Sequence, residues 1–134
     1  MSSQTATSLE ARLRQGYENF DKGDLDAIRG DFAPDTVWHS GGSNILTGDY
    51  KGIDDVFAYF MKIFEETGGT FKNEVHDVLA NETHGVALVK ATGTRKGKTL
   101  DTNTVHVVHF NSEGQISESW IIPEEFEKSN DFWS

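Results

Sequence analysis

The sequence predicts an α+β fold, a cone in which three helices pack on one face of a curved antiparallel sheet. Three observations carry that prediction. Apolar residues recur at helical spacing only in the first half of the chain, at Leu9, Leu13, Tyr17 and Phe20 and again from Ile53 to Phe64. Beyond Gly68-Gly69, extended stretches rich in Val and Thr follow one another with short turns between them. The last of these, Thr99 to Ile122, reads as two antiparallel strands joined at Asn111-Ser112-Glu113-Gly114. Helices grouped ahead of strands argue for α+β layers rather than alternating units.

The elements follow in order. Thr7 and Glu10 have the spacing of a capping box, and Lys22-Gly23 marks the stop of the first helix. Asp24 is placed to cap a second helix carrying Leu25, Ile28 and Phe32, which Pro34 ends by forcing its predecessor out of the α region. Thr36 to Ser40 is a short strand whose faces separate Val37 and His39 from Thr36, Trp38 and Ser40. Gly41 to Gly52 is read either as a loop over a pocket mouth or as a plain connection; its glycines lack phosphate-loop spacing. Ile53, Val56, Phe57, Phe60, Ile63 and Phe64 make the strongest helical stripe, read as core. The strands are Thr70–Ala80, Gly85–Thr94, Thr99–Phe110 and Gln115–Ile122. After Pro123 the tail is polar but ends in Phe132-Trp133, which suggests docking. Leu13, Phe20, Leu25, Ile28, Phe32, Val56, Phe57, Phe60, Phe64, Val89, Leu100 and Phe110 are the expected core.

The 134 residues are read as one domain, 1–134, long enough to bury about two-thirds of the surface of the unfolded chain. With no cysteine, thiol catalysis, disulfides and thiolate metal sites are excluded. The formal charge of −10 argues against nucleic acid and against an anionic membrane surface. No stretch has signal-peptide or membrane-spanning character, so a soluble cytoplasmic protein is expected.

The runs YENFDKGDLDAIRGDFAPDTVWH, GDYKGIDDVF and HFNSEGQISESW resemble the nuclear-transport-factor-2-like (NTF2-like) superfamily, and within it the SnoaL-like and ketosteroid-isomerase-like proteins. The resemblance covers Leu9 to Trp133 and implies the cone fold with a cavity between helices and sheet. It spans isomerases, cyclases, dehydratases, epoxide hydrolases and non-catalytic binders, so it does not choose an activity. Carried over residue by residue, the isomerases' aspartate base falls on His39 and their protonated aspartate on His106. Their tyrosine falls on Gly16, with Tyr17 beside it. The carboxylate base and acid are therefore absent, and that isomerase mechanism is not implied. The SnoaL-type aspartate near the last strand has only Glu124 and Glu125 for counterparts.

On the long strand, Leu100, Thr102, Thr104, His106, Val108 and Phe110 share one face, apolar at both ends and polar in the middle, as a pocket wall is. His39 and His106 are the candidate acid–base pair, since one imidazole can accept a proton at neutral pH while another donates. The simpler reading is that each is a satisfied polar group in a semi-polar cavity. Tyr17, Phe60, Thr102, Thr104, Val108 and Trp120 are the candidate ligand contacts. His76, His109 and an acid are conceivable metal ligands, but no tight ligand motif is present and no metal is expected. Two function classes follow: a cofactor-independent enzyme of proton transfer (isomerisation, dehydration or cyclisation) on an apolar cyclic or polyketide-like substrate, or a non-catalytic binding or structural dimer. The apolar set Val105 and Val107 on the opposite face is the reason a homodimer is expected.

Overall fold

The computed structural model describes residues 6–134, with side chains from Ser8 onward. Helix α1 runs over Ala6–Asp21, and α2 is a single turn, Asp26–Arg29. Strands β1 (Phe32–Ser40) and β2 (Gly48–Lys51) precede α3 (Ile53–Glu66). Strands β3 (Lys72–Ala80), β4 (His84–Arg95), β5 (Lys98–Phe110) and β6 (Ile116–Pro123) follow, and α4 (Phe126–Phe132) closes the chain.

The sheet has six strands in the order β2-β1-β6-β5-β4-β3. Neighbours are antiparallel except β1 and β6, which are parallel. The expected wholly antiparallel sheet is therefore corrected to a mixed one. Strand β1 lies beside the last strand, and a connection running through α3 and the meander lets the two point the same way.

Local chemistry explains the ends. Gly23 adopts a left-handed φ of +74° and donates to the Phe20 carbonyl at 2.9 Å, stopping α1. Helix α1 already includes Thr7, so the expected cap position lies inside the helix, and the Thr7 side chain is outside the described residues. The Asp24 carboxylate accepts the Ala27 N–H at 3.3 Å, in the manner of a cap. The second helix is shorter than expected, and Phe32 begins β1 instead of ending α2. Pro34 sits where the β1–β6 register shifts between Phe32 and Val37. A residue without an N–H is tolerated in a sheet at such an irregularity.

The core is contiguous and dominated by aromatic rings. Phe60 is 3% exposed and meets Phe20 and Trp38 edge-on, with ring centroids 5.1 Å apart in both cases. Ten of the twelve expected core residues are buried; Leu25 and Phe64 are half-buried against the cluster. Gly85 lets α1 approach the sheet, because a Cβ there would lie 2.9 Å from Leu13 Cδ1. Among the described residues, α1, α3 and α4 all supply side chains on the side of the sheet that carries Thr102 and His106, leaving the outer face without a covering element. No described helix is long and apolar enough to cross a membrane.

Candidate functional site

Helices and sheet enclose a cavity of about 140 Å³. Its middle is walled by Tyr17 of α1, Trp38 of β1, Tyr59 and Phe60 of α3, and Thr102, Thr104 and His106 of β5. Arg12 and Asp31 line one region of it, while Gly41, Asn44, Leu46, Ser129 and Trp133 line another.

His106 is the polar centre of this space. It stands on the inner face of β5, paired with Ala87 of β4 and Ile121 of β6, and is 4% exposed. Its Nδ1 lies 2.6 Å from the Tyr17 hydroxyl. Trp38 packs on the imidazole with centroids 4.8 Å apart. Burial pushes the His106 pKa down to about 3, so the ring is neutral at pH 7. Burial also pushes the Tyr17 phenol far up, with smaller contributions from Tyr59 and Asp21, so it stays protonated. Tyr59, raised to about 12 chiefly by burial, donates to Ser40 Oγ at 3.4 Å. His106 Nε2 is buried without a hydrogen-bond partner, as are Thr36 Oγ1 and Ser119 Oγ. The Trp38 indole N–H lies beside the Tyr59 hydroxyl without reaching hydrogen-bond geometry.

Of the residues singled out from sequence, Tyr17, Phe60, Thr102, Thr104 and His106 come together in the cavity wall. Val108 is fully buried in the core and does not line the space. His39 and Trp120 lie on the opposite face of the sheet, so the expected His39–His106 pair does not form. The reason is alternation along β1: Trp38 and Ser40 face the cavity, where the indole buries its apolar surface, and His39 between them must face out.

On that outer face His39 is bound on both sides. Its Nδ1 meets Asp49 Oδ1 and its Nε2 meets Glu118 Oε2, each at 2.6 Å. These two hydrogen bonds to Asp49 and Glu118 raise its pKa, against a smaller cost of burial. The ring stacks on Trp120 at 5.3 Å, and His109 and His84 continue the row across β5 and β4 at 4.7 and 4.6 Å. His76 is the extra residue of a bulge in β3, apart from His109. Among the described residues no group of three or more His, Asp or Glu side chains is placed to hold a metal.

Sequence reasoning missed Asp31, the one carboxylate among the described cavity residues. Burial raises its pKa, partly offset by Arg12, whose Nε lies 3.8 Å away. Following Gly30 at the end of a short turn, it carried no periodic signal. Trp133 was foreshadowed by the aromatic tail, whose docking the structure shows: Phe132 and Trp133 are 2% and 4% exposed.

This fold is that of the NTF2-like superfamily. The chain belongs to the SnoaL-like domain family, which it matches over residues 13–119. Uncharacterized proteins of Mycobacterium tuberculosis and Mycobacterium bovis are 33% identical to it over 91 residues, 66% of this chain and 69% of theirs. Among solved structures, Bal32a from a soil-derived mobile gene cassette superposes with a TM-score of 0.92 at 29% identity, covering 96% of this chain and 98% of that one. An NTF2-like protein of unknown function from Burkholderia pseudomallei gives 0.83 at 19% identity, covering 94% and 97%. A candidate SnoaL-like polyketide cyclase from Jannaschia gives 0.76 at 18% identity, covering 92% and 90%.

Proposed function

We propose that this protein is a small-molecule pocket protein of the cyclase/isomerase type, whose cavity takes an apolar cyclic or polyketide-like ligand with one oxygen on Tyr17 and His106. The observation behind this is the buried, uncharged Tyr17–His106 contact within a largely apolar cavity. Two protons belong to the pair, the phenol's and the imidazole's, and only one can lie in the 2.6 Å contact. The other is left to donate, from Nε2 in one tautomer or from the Tyr17 hydroxyl in the other. A buried donor without an acceptor costs about 1–3 kcal/mol, which a ligand carbonyl recovers. The Jannaschia cyclase likeness supports the polyketide-like class.

Binding is favoured over paired-histidine catalysis because His106 is a weak base. A proton acceptor works best with a pKa near the working pH, and burial holds this one near 3. Turnover by proton transfer is the second reading, favoured by Asp31 in the same cavity.

The neutral bicyclic ketone 2-tetralone tests both, by NMR in deuterated buffer. His106→Ala and Tyr17→Phe are expected to weaken binding by about 3- to 10-fold, the worth of one hydrogen bond, while Trp120→Phe leaves it unchanged. Equal affinity in all four proteins sinks the Tyr17–His106 assignment. If the wild type also exchanges the ketone's α-hydrogens and Asp31→Asn slows this by about 10²–10⁴, turnover replaces simple binding. Exchange at the solvent rate leaves a binder.

The outer sheet face supports a homodimer. Val86, Leu88, Val105, Val107, Trp120 and Ile122 share it by strand register, Ile122 is 42% exposed, and no element of the described chain covers them. Val75 packs against the core and is not part of this surface.

A further inference from the structure

We propose that His39 is a protonation-dependent clasp that fastens a movable piece of the cavity wall, the segment from Gly41 to Lys51, onto the sheet. The inference goes beyond ligand identity and does not depend on it.

The first ground is geometric. Both ring nitrogens of His39 face carboxylates at 2.6 Å, Asp49 from β2 and Glu118 from β6. Only the imidazolium has an N–H for each. A neutral ring would turn a lone pair toward one carboxylate, losing that hydrogen bond and leaving two carboxylates in mutual repulsion. The bridged arrangement is therefore that of the charged ring.

The second ground is what the clasp holds. Strand β2 has four residues, lies at the edge of the sheet and pairs with β1 alone. It is tied to β1 by the loop that brings Gly41, Asn44 and Leu46 into the cavity wall, and Leu46 is 5% exposed there. The segment is also held by the β1–β2 ladder, by the packing of Ile45, Leu46 and Tyr50 against the core, and by a few polar contacts. Asn130 Oδ1 accepts from Ser43 N at 2.7 Å and from Asn44 Nδ2 at 2.9 Å, and Lys62 Nζ donates to the Ile45 carbonyl at 2.9 Å. Gly42 has no room for a side chain, since a Cβ would lie 2.6 Å from Asn130 Oδ1. Loss of the Asp49 contact thus removes the side-chain link that ties the edge strand through His39 to Glu118 of β6.

The third ground is access. The His39 side chain is 28% exposed in the single chain, on the face opposite the cavity, so its protonation is set outside the ligand pocket. The titratable and charged groups around it are Asp49 and Lys51 on β2, Glu118 on β6, His109 on β5 beyond Trp120, and His84 on β4 beyond that. The direction of its shift agrees with the geometry, both carboxylates favouring the charged ring. As pH rises through the His39 titration, segment 41–51 loosens and the cavity wall opens.

Amide hydrogen exchange on the whole protein tests this without any ligand, as protection factors corrected for the intrinsic pH dependence. Protection over residues 44–51 is expected to fall several-fold between pH 6 and 9, with the midpoint of the His39 ring titration followed by NMR, while β4 and β5 amides keep theirs. His39→Gln should show the loosened state at both pH values. Asp49→Asn, which leaves the neutral ring a compatible partner, should keep the segment protected at pH 9. His84→Ala and His109→Ala should respond as the wild type does. A pH-independent segment in the wild type, or an unaltered response in His39→Gln, overturns the proposal, as does loosening of Asp49→Asn at high pH. Failure of 2-tetralone to bind would bear only on the pocket reading.

Discussion

Two histidines on opposite faces of one sheet are driven in opposite directions by their surroundings, and the pH dependence of stability follows. His106 has a pKa of about 3 in the folded protein against about 6.5 in an unfolded chain. Between those values the unfolded state binds a proton that the folded state refuses. Its contribution is full above about pH 6.5 and is lost as pH falls toward the folded value. His39 is raised, so its contribution is full below the unfolded value and lost as pH rises through the folded one. Asp21 and Asp31, raised by burial, favour the fold in acid and offset part of the His106 loss in the carboxylate range. The melting temperature is expected to peak near pH 6.5–7. His106→Gln should flatten the acid limb and His39→Gln the alkaline limb, in calorimetry from about pH 4.5 to 9. A His106→Gln protein with an unchanged acid limb contradicts the burial argument.

At the scale of elements, α3 and α4 make separate tests. The α3 stripe seats Phe60 between Phe20 and Trp38, so Phe60→Ala removes a ring and leaves a cavity, at a cost of roughly 3–5 kcal/mol. Denaturant unfolding measures this, and an unchanged midpoint would place the helix elsewhere. Helix α4 has seven residues, too few to stand alone, and is held from outside. The buried guanidinium of Arg95 donates to the carbonyls of Phe132 and Ser134 at 3.1 and 2.7 Å, while its Nε meets Glu66 at 2.8 Å. Hydrogen bonds from a charged donor are worth about 1.5–3 kcal/mol each. Arg95→Met is expected to release α4 before the sheet unfolds, seen as early proteolysis after Pro123 and exposure of Trp133. Cleavage at the wild-type rate would show that apolar docking of Phe132 and Trp133 suffices.

For the whole molecule, the decisive feature is that every described helix packs on one side of the sheet. One face becomes a cavity and the other a bare surface with Val107 near its middle. If that surface pairs two copies, each Val107→Glu face must desolvate a carboxylate, which is costly without a partner. The wild type is expected to sediment as a dimer at high micromolar concentration and Val107→Glu as a folded monomer. A monomeric wild type ends the dimer proposal.

The sequence by itself determined which residues are apolar at which period, and hence α1, α3, the four-strand meander and the two faces of β5. Those are local properties, set by 3.6- and 2-residue repeats. Tyr17, Phe60, Thr102, Thr104 and His106 were legible as cavity residues for that reason. Tertiary structure alone decided the rest. The parallel pairing of β1 with β6 joins segments some eighty residues apart, and no short pattern encodes it. Two of the errors followed from position without its neighbours: β2 is a strand only because β1 offers an edge, and α4 is a helix only because Arg95 and the core hold it. Read from sequence, likeness and alternation both turn His39 to the cavity, but the same alternation sets it apart from Trp38 and Ser40, and these two line the cavity. In the folded chain the indole takes the interior and the imidazole goes outward to two carboxylates. Burying the larger apolar surface is the stronger effect, and a charged ring is better served where solvent and anions reach it.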